Sequence, residues 1–265
     1  RLIVRRGATR HAARVPTASV RMRLPTDRVT GAVWDDTDIV HVRVQDRIGG
    51  IATGAIGGGA AVLAAGADRT TFRFTTSPID LRAGSPAVVS FVRGGDEWVL
   101  LGQTPSVVVR VGSAQVLATG AAGTPMTVTL RSEVGSERGS VSRKIPHRPF
   151  ATAGRFVGAF RSGDQAVAVQ VGDQVTATGL VGTFTVPDLA FSVDKAANSA
   201  DLVCPPGSTW MVAKDELIRY TGVTVDGAVH VAEVAYTTPI PSGRIISAWC
   251  QLPSGFAVSA EITVP

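Results

Sequence analysis

Apolar and polar residues alternate along short stretches of this chain, and the stretches recur about every 8–12 residues. Val40, Val42 and Val44 alternate with polar residues, and residues 71–75 read Thr-Phe-Arg-Phe-Thr. A period of two places the apolar side chains on one face of a β-strand. The pattern predicts an all-β fold with two β-sandwich or barrel-like domains, a basic N-terminal arm and very little helix.

Turn-forming residues separate several of these apolar runs. Residues 93–96, Arg-Gly-Gly-Asp, lie between the apolar runs 88–92 and 98–101 and predict a hairpin. Asp226-Gly227 is a favoured two-residue turn and predicts a second hairpin between the short runs on either side of it. Helix is expected only in two short segments, 195–202 and 214–219.

A basic segment rich in Gly and Ser divides the chain. Residues 135–150 read GSERGSVSRKIPHRPF, with four basic residues, one acidic residue and no apolar run long enough to bury. Such a composition is typical of a linker between domains. The predicted organisation is a basic arm, a β-sandwich or barrel domain, a basic linker and a second β-sandwich domain, over residues 1–28, 29–134, 135–150 and 151–265.

Residues 48–67 carry no charge, and seven of them are glycines. A membrane-inserting helix is disfavoured, because each glycine costs about 1 kcal/mol relative to alanine in a helix. The few large apolar residues each favour insertion by roughly 0.3–0.6 kcal/mol, which is too little to compensate. The preferred interpretation is a pair of Gly/Ala-rich strands, or a long loop, pressed against a flat surface.

The composition, with 45% apolar and 18% charged residues, indicates a packed protein. The net charge of +5 is unevenly distributed: the arm carries +7 and the linker +3, whereas the two domains carry −1 and −4. A nucleic-acid-binding face spread over the domains is therefore disfavoured. The arm also lacks the aromatic residues on which single-stranded bases stack.

Basic residues of the arm and linker are the predicted interaction residues. Arg6, Arg10 and Arg14 would line one side of a short helix, and residues 20–24 alternate as a strand with one wet face. Three interpretations stay open: the arm lies on the chain's own acidic domains, docks onto an acidic neighbouring subunit, or contacts phosphates. The full set is Arg5, Arg6, Arg10, Arg14, Arg21, Arg23, Arg143, Lys144 and Arg148.

Two smaller groups of residues also predict sites. Asp35, Asp36 and Asp38 offer the oxygen ligands that calcium prefers, although the EF-hand spacing is absent and a solvated turn is the alternative. Cys204 and Cys250 are the only cysteines, so a disulfide scaffold is excluded. They are either joined in one bridge or remain two buried thiols.

No motif of an enzyme or of a zinc site occurs. The nucleophile motif G-x-S-x-G is absent, as are H-x-x-x-H and C-x-x-C. A non-enzymatic protein without a cofactor is expected; a hydrolase whose carboxylates meet only in the fold is a weaker alternative. The four tryptophans are expected mostly in the core, whereas an exposed Trp34 or Trp98 would indicate a carbohydrate-binding module.

A basic arm beside β-rich domains resembles the virion proteins of tailed phages in architecture and composition. The resemblance implies a structural protein whose arm and strand edges dock to other copies of itself and to neighbouring structural proteins. The predicted location is the virion, and nucleic acid and membrane are disfavoured as partners. The alternative is a secreted or surface carbohydrate-binding or adhesion module that binds a glycan, with or without calcium.

Overall fold

All regular secondary structure in the described residues is β-strand, which confirms the all-β prediction. None of these residues forms a helix long and apolar enough to span a bilayer. The two short helices expected from the sequence are wrong, because both segments contribute to strands. The computed structural model describes residues 2–6, 9–13, 18–23, 27–34, 37, 39–48, 51–66, 69–76, 81, 84–93, 95–147, 151–214, 217–223, 227–235 and 239–265.

Ten of the described strands precede residue 104, and eight of them build one compact unit, the first body. The remaining two, β1 and β2, pair only with each other among the described strands. The bounds are β1 Leu2–Arg6, β2 Thr9–Ala13, β3 Ser19–Arg23, β4 Arg28–Trp34, β5 Val40–Ile48, β6 Ile51–Ala60, β7 Val62–Ala65, β8 Arg69–Thr75, β9 Pro86–Arg93 and β10 Asp96–Gln103.

The first body is a sandwich of two four-stranded antiparallel sheets, ordered β3-β4-β8-β7 and β10-β9-β5-β6. Both sheets turn alternate residues inward, as the period of two predicts. Val29 and Phe72 come from one sheet, Val42 and Phe91 from the other, and all four are buried in one shared core. The fold-class prediction is therefore confirmed for the first body.

Sixteen further strands belong to the second body. They include the two closing strands of the chain, which pair antiparallel with each other. Their bounds are β11 Ser106–Arg110, β12 Gln115–Ala121, β13 Pro125–Arg131, β14 Glu137–Lys144, β15 Ala153–Ala159, β16 Arg161–Ser162, β17 Gln165–Ala166, β18 Gln174–Ala177, β19 Phe184–Thr185, β20 Ser192–Asp194, β21 Ser199–Val203, β22 Thr209–Lys214, β23 Leu217–Val223, β24 Ala228–Ala232, β25 Ile245–Gln251 and β26 Phe256–Thr263.

Three sheets enclose the core of the second body. A seven-stranded sheet, β15-β12-β11-β26-β25-β22-β23, packs against a six-stranded sheet, β17-β16-β14-β13-β18-β19, and a three-stranded sheet, β20-β21-β24. Phe184 and Phe256 stack across the core with ring centroids 5.4 Å apart. β11 and β26 are the one parallel pair among these described strands, and Ser259 Oγ donates to Val109 O, 150 residues away.

The predicted linker at residues 135–150 is wrong. Most of it is β14, which pairs with β13 along its length, and Ile145 just beyond is buried in the second core. The chain instead passes between the bodies at residues 104–105, directly after β10. The pattern was misleading because β14 presents only Gly139 and Val141 inward, so the strand has no apolar alternation.

Two other local predictions have opposite outcomes. The hairpin around residues 93–96 is confirmed, since β9 and β10 pair with Arg93 opposite Asp96. The hairpin at Asp226-Gly227 is wrong, because β24 pairs with β21 and β23 with β22. Gly227 does require the backbone freedom of glycine, because its φ is 93°. However, its carbonyl accepts a hydrogen bond from the Cys204 amide instead of closing a two-residue turn.

The glycine-rich stretch forms strands rather than a long loop. Its residues 51–60 are β6 and residues 62–65 are β7. These strands belong to different sheets, since β6 pairs with β5 and β7 with β8. In addition, β5 approaches β22 and β6 approaches β23. The hairpin formed by β5 and β6 therefore lies beside the seven-stranded sheet of the second body.

Replacement of the buried Asn198 by alanine is expected to destabilise the second body by about 2 kcal/mol. The side-chain amide donates to Ala235 O at 2.9 Å, and its oxygen accepts from Ala235 N at 2.7 Å. Asn198 also has φ at 54°, which asparagine tolerates better than alanine does. Urea unfolding measures the loss, and a change of less than about 0.5 kcal/mol would contradict the assignment.

Candidate functional site

The hairpin of β1 and β2 carries the first group of predicted interaction residues. Arg5 and Arg6 lie on β1 and Arg10 on β2, and the register places Arg5 directly opposite Arg10. The short helix expected over residues 6–14 is wrong, because residues 9–13 form β2. Arg14 lies outside the described residues.

Arg21 and Arg23 do not belong to an arm. They lie on β3, an edge strand of the first body, and Val20 between β3's polar positions is buried in the core. The expected strand with one wet face is thus confirmed, and the arm boundary at residue 28 is wrong. Burial of Val20 explains the correction, because an apolar residue on a paired strand anchors that strand to its body.

The outer face of the sheet β3-β4-β8-β7 presents five exposed arginines, which we call the arginine face. Arg23 lies opposite Arg28, and Arg21 lies two strands away from Arg73 in the same row. None of the five guanidinium groups forms an ion pair with a described residue. The members are Arg21, Arg23, Arg28, Arg69 and Arg73.

No acidic residue occupies an outward position on these four strands. Among the described residues, the acid next to these strands in sequence is Asp27, which sits in the turn before β4; its carboxylate accepts a hydrogen bond from the Leu81 amide at 2.9 Å. Sequence reasoning missed Arg28, Arg69 and Arg73 as parts of one surface. The sequence offered this signal only for Arg73, which lies between Phe72 and Phe74 in a predicted strand, because no strand was predicted at Arg28 or Arg69.

The remaining predicted basic residues lie elsewhere. Arg143 and Lys144 are exposed at the end of β14, opposite Met126 and Pro125. They are on the second body and belong to neither the hairpin nor the arginine face. Arg148 lies outside the described residues, as do Asp35, Asp36 and Asp38 of the predicted calcium site. Within the described ranges, no group of three or more His, Cys, Asp or Glu side chains is placed to hold a metal ion.

Cys204 and Cys250 form a disulfide, which decides between the two alternatives left open by the sequence. Both residues are buried, with exposures of 1% and 0%. Cys204 directly follows β21 in the three-stranded sheet, and Cys250 lies within β25 in the seven-stranded sheet. The bridge therefore ties two sheets of the second body together across its core.

A cleft of about 550 Å³ lies where the two bodies meet. Arg43 and Gln45 of β5 line one side, and Thr119, Arg155 and Gln251 line the other. The bodies also join here by a hydrogen bond of 2.8 Å from the Thr152 amide to Leu101 O. The described lining contains no acidic residue, so the cleft is weakly cationic.

One row of residues superficially resembles a catalytic triad. Ser192, Asp201 and His230 occupy neighbouring positions across β20, β21 and β24, and His230 Nδ1 lies 2.7 Å from Asp201 Oδ1. The order is wrong for a nucleophile, because the base must lie between the hydroxyl and the carboxylate. Here histidine is two strands from serine, roughly 9–10 Å at ordinary strand spacing. His230 and Asp201 are also 63% and 58% exposed, on a flat surface.

The tryptophans pack rather than form an exposed platform. Trp34 meets Phe91 edge-on at 5.7 Å and Trp98 edge-on at 5.6 Å, all at the margin of the first core. Trp249 is buried and Trp210 is half-buried in the second body. The exposed Trp34 or Trp98 that would have indicated a sugar-stacking site is therefore not found.

Comparisons with known proteins give no family. No protein-family model and no curated protein sequence matches the chain. Among solved structures, it is similar to the BSP domain of a biofilm associated protein, with a TM-score of 0.24 and 8% identity over 93% of this chain and 65% of that one. The chain thus spans 65% of the length of that structure.

Two other solved structures are similar at the same level. The central fibronectin-III array of RIM-binding protein has a TM-score of 0.21 and 12% identity, over 94% of this chain and 95% of that one. A bacterial ice-binding adhesin studied for host cell surface retention has a TM-score of 0.18 and 13% identity, over 90% of each chain. At these TM-scores the similarities support no inference about function, which must come from the chain's own residues.

Proposed function

We propose that the chain is a non-enzymatic structural or adhesion-type module, which is built into a larger assembly through the hairpin of β1 and β2. The observation that carries this proposal is the position of the hairpin in the fold. Among the described strands, β1 and β2 pair only with each other and join no sheet of either body.

A two-stranded hairpin by itself is at best marginally stable in water. This one carries an added cost, because like charges directly opposite each other destabilise a pair of strands, and Arg5 lies opposite Arg10. Its outer edges also leave backbone amide and carbonyl groups available for another chain. A neighbouring subunit that offers a sheet edge or an acidic surface would relieve both costs.

The disulfide supports a location outside the cytoplasm. Bridges of this kind persist in oxidising surroundings and are rare in the reducing cytosol. A tailed-phage virion and a cell surface both meet this condition. We propose the virion as the finer assignment, with surface adhesion as the alternative. Peptides of the chain in gradient-purified phage particles would support the virion, whereas peptides confined to a host surface fraction would support adhesion.

The non-enzymatic part of the proposal is supported by the site geometry. The Ser192–Asp201–His230 row has the wrong order for nucleophilic catalysis. The cleft between the bodies has two arginines and several amides but no acidic residue in its described lining. It therefore lacks a carboxylate pair of the kind that glycoside hydrolysis uses.

Removal of residues 1–17 is expected to abolish self-association. The full chain should form a species larger than a monomer in light scattering at low salt, and the shortened chain should be a monomer. The shortened chain retains every described strand of both bodies, so its unfolding curve should match that of the full chain. The charge-reversed variant Arg5→Glu/Arg10→Glu should also associate more weakly, and its association should respond differently to salt.

Arg131→Glu/Arg161→Glu is the matched control, because it reverses two exposed charges on the second body. It should leave association unchanged. A full chain that is a compact monomer at every salt concentration would contradict the proposal of self-assembly. So would association that survives removal of the hairpin.

A further inference from the structure

The arginine face has a charge pattern that its own fold does not require. Arg23 and Arg28 lie directly opposite each other on adjacent strands, an arrangement that costs stability through like-charge repulsion. Neither has an acidic partner among the described residues. An anionic ligand that contacts both guanidinium groups would offset this repulsion.

The face is regular as well as cationic. Its strands are about 4.8 Å apart, and alternate residues along one strand are about 7 Å apart, so the arginines occupy points of a flat grid. Thr30, Thr71 and Thr75 lie between them on the same side and add hydroxyl groups. Guanidinium groups bind sulfate and carboxylate through paired hydrogen bonds, which suits a ligand with repeated anionic groups.

We propose that the arginine face binds an acidic polysaccharide, a linear sugar polymer that carries sulfate or carboxylate groups along its length. An extended polymer lies flat on a sheet face and meets several arginines at once. Nucleic acid fits less well, because base stacking requires aromatic side chains and the one aromatic residue on these outward positions, Trp34, packs against Phe91 and Trp98. Duplex recognition also uses an element that enters a groove, whereas these arginines lie on the face of a four-stranded sheet.

The disulfide of the second body also favours a sugar polymer over nucleic acid. The Cys204–Cys250 disulfide indicates surroundings outside the cytosol, where sugar polymers rather than nucleic acids are the abundant polyanions. This binding is separate from the assembly function proposed above, since the arginine face is on the first body and not on the hairpin. A chain lacking residues 1–17 should therefore still bind.

The test measures binding of the full chain to four probes by calorimetry over a range of salt concentrations. The probes are a heparin decasaccharide, a polyuronate of the same length, neutral dextran and a short DNA duplex. We expect binding to at least one acidic probe, no binding to dextran, and affinity that falls steeply with salt. Heparin alone would assign sulfate as the recognised group, and the polyuronate alone would assign carboxylate; both outcomes support the proposal.

The triple variant Arg21→Gln/Arg23→Gln/Arg73→Gln should weaken this binding roughly tenfold to a hundredfold, since each lost charge pair contributes modestly. The matched control Arg131→Gln/Arg143→Gln/Arg161→Gln removes the same charge from exposed positions on the second body that lie outside the cleft. It should change affinity by less than about twofold. Both variants should unfold like the original chain.

Three results would overturn the proposal. The first is equal weakening by the triple variant and its control, which would indicate an effect of net charge alone. The second is loss of binding on removal of residues 1–17, which would assign the polyanion to the hairpin. The third is tighter binding to a DNA duplex than to either acidic polysaccharide at the same salt concentration.

Discussion

Replacement of both cysteines, Cys204→Ala with Cys250→Ala, is expected to lower the free energy of unfolding of the second body by about 4 kcal/mol. The bridge closes a loop with a sequence separation of 46 residues. Cross-linking a loop of this length removes much of the freedom of the unfolded chain, and the estimate lies between those for shorter and longer loops. The midpoint of thermal unfolding should fall by roughly 8–16 °C for a body of this size.

The measurement can assign the loss to the correct body. Trp34 and Trp98 report on the first body, and Trp210 and Trp249 report on the second. Fluorescence should show a lower unfolding midpoint for Trp210 and Trp249 only. Wild-type protein unfolded in the presence of reductant should behave like the variant, with free thiols counted by mass spectrometry. Identical unfolding of oxidised and fully reduced protein would contradict the prediction.

The second large effect is expected from Arg138→Met, at about 3 kcal/mol. Arg138 Nη1 contacts both carboxylate oxygens of Asp173, and Nη2 donates to Ala168 O at 3.3 Å. The Asp173 side chain is only 4% exposed, and the Gln170 amide is its other hydrogen-bond donor among the described residues, at 2.8 Å. Loss of the guanidinium leaves a buried carboxylate without its counter-charge, with only the Gln170 amide donating to it, and this is more costly than loss of the whole pair.

The double variant Arg138→Met/Asp173→Asn separates these contributions. We expect it to be more stable than Arg138→Met alone, because the asparagine carries no charge and can still accept from Gln170. Arg161→Met, on the adjacent strand β16 and exposed, is the control and should change stability by less than about 0.5 kcal/mol. Urea denaturation measures all three. A double variant less stable than the single one would show that the buried charge is not the cause.

Strand positions were predictable wherever one face is apolar and the other polar. β5 and β8 follow this rule, because Val40, Val42 and Phe72 are buried while Arg43 and Arg73 are exposed. The rule fails for β14, whose inward residues are too small to produce a pattern. Its role depends on pairing with β13 and on an ion pair 35 residues distant, and neither is visible in the local sequence.

The candidate sites show the same limit. The arginines of the hairpin and of β3 were found because they are close in sequence. The arginine face was not found, because Arg28, Arg69 and Arg73 join Arg21 and Arg23 only through the pairing of β4 with β3 and β8. The two cysteines could be identified as candidates for a disulfide, but the sequence could not decide whether they are joined, since it carries no information on the distance between them.

The parallel pairing of β11 with β26 has a consequence for synthesis of the protein. The first body is complete once β10 has left the ribosome, whereas β11 lacks one of its two neighbours until β26 emerges. Domains generally fold in the order in which they are made. We therefore expect the first body to fold early, while Val107 and Val109 of the nascent chain remain uncovered until β26, about 150 residues later, has been made, and depend on chaperones during that interval.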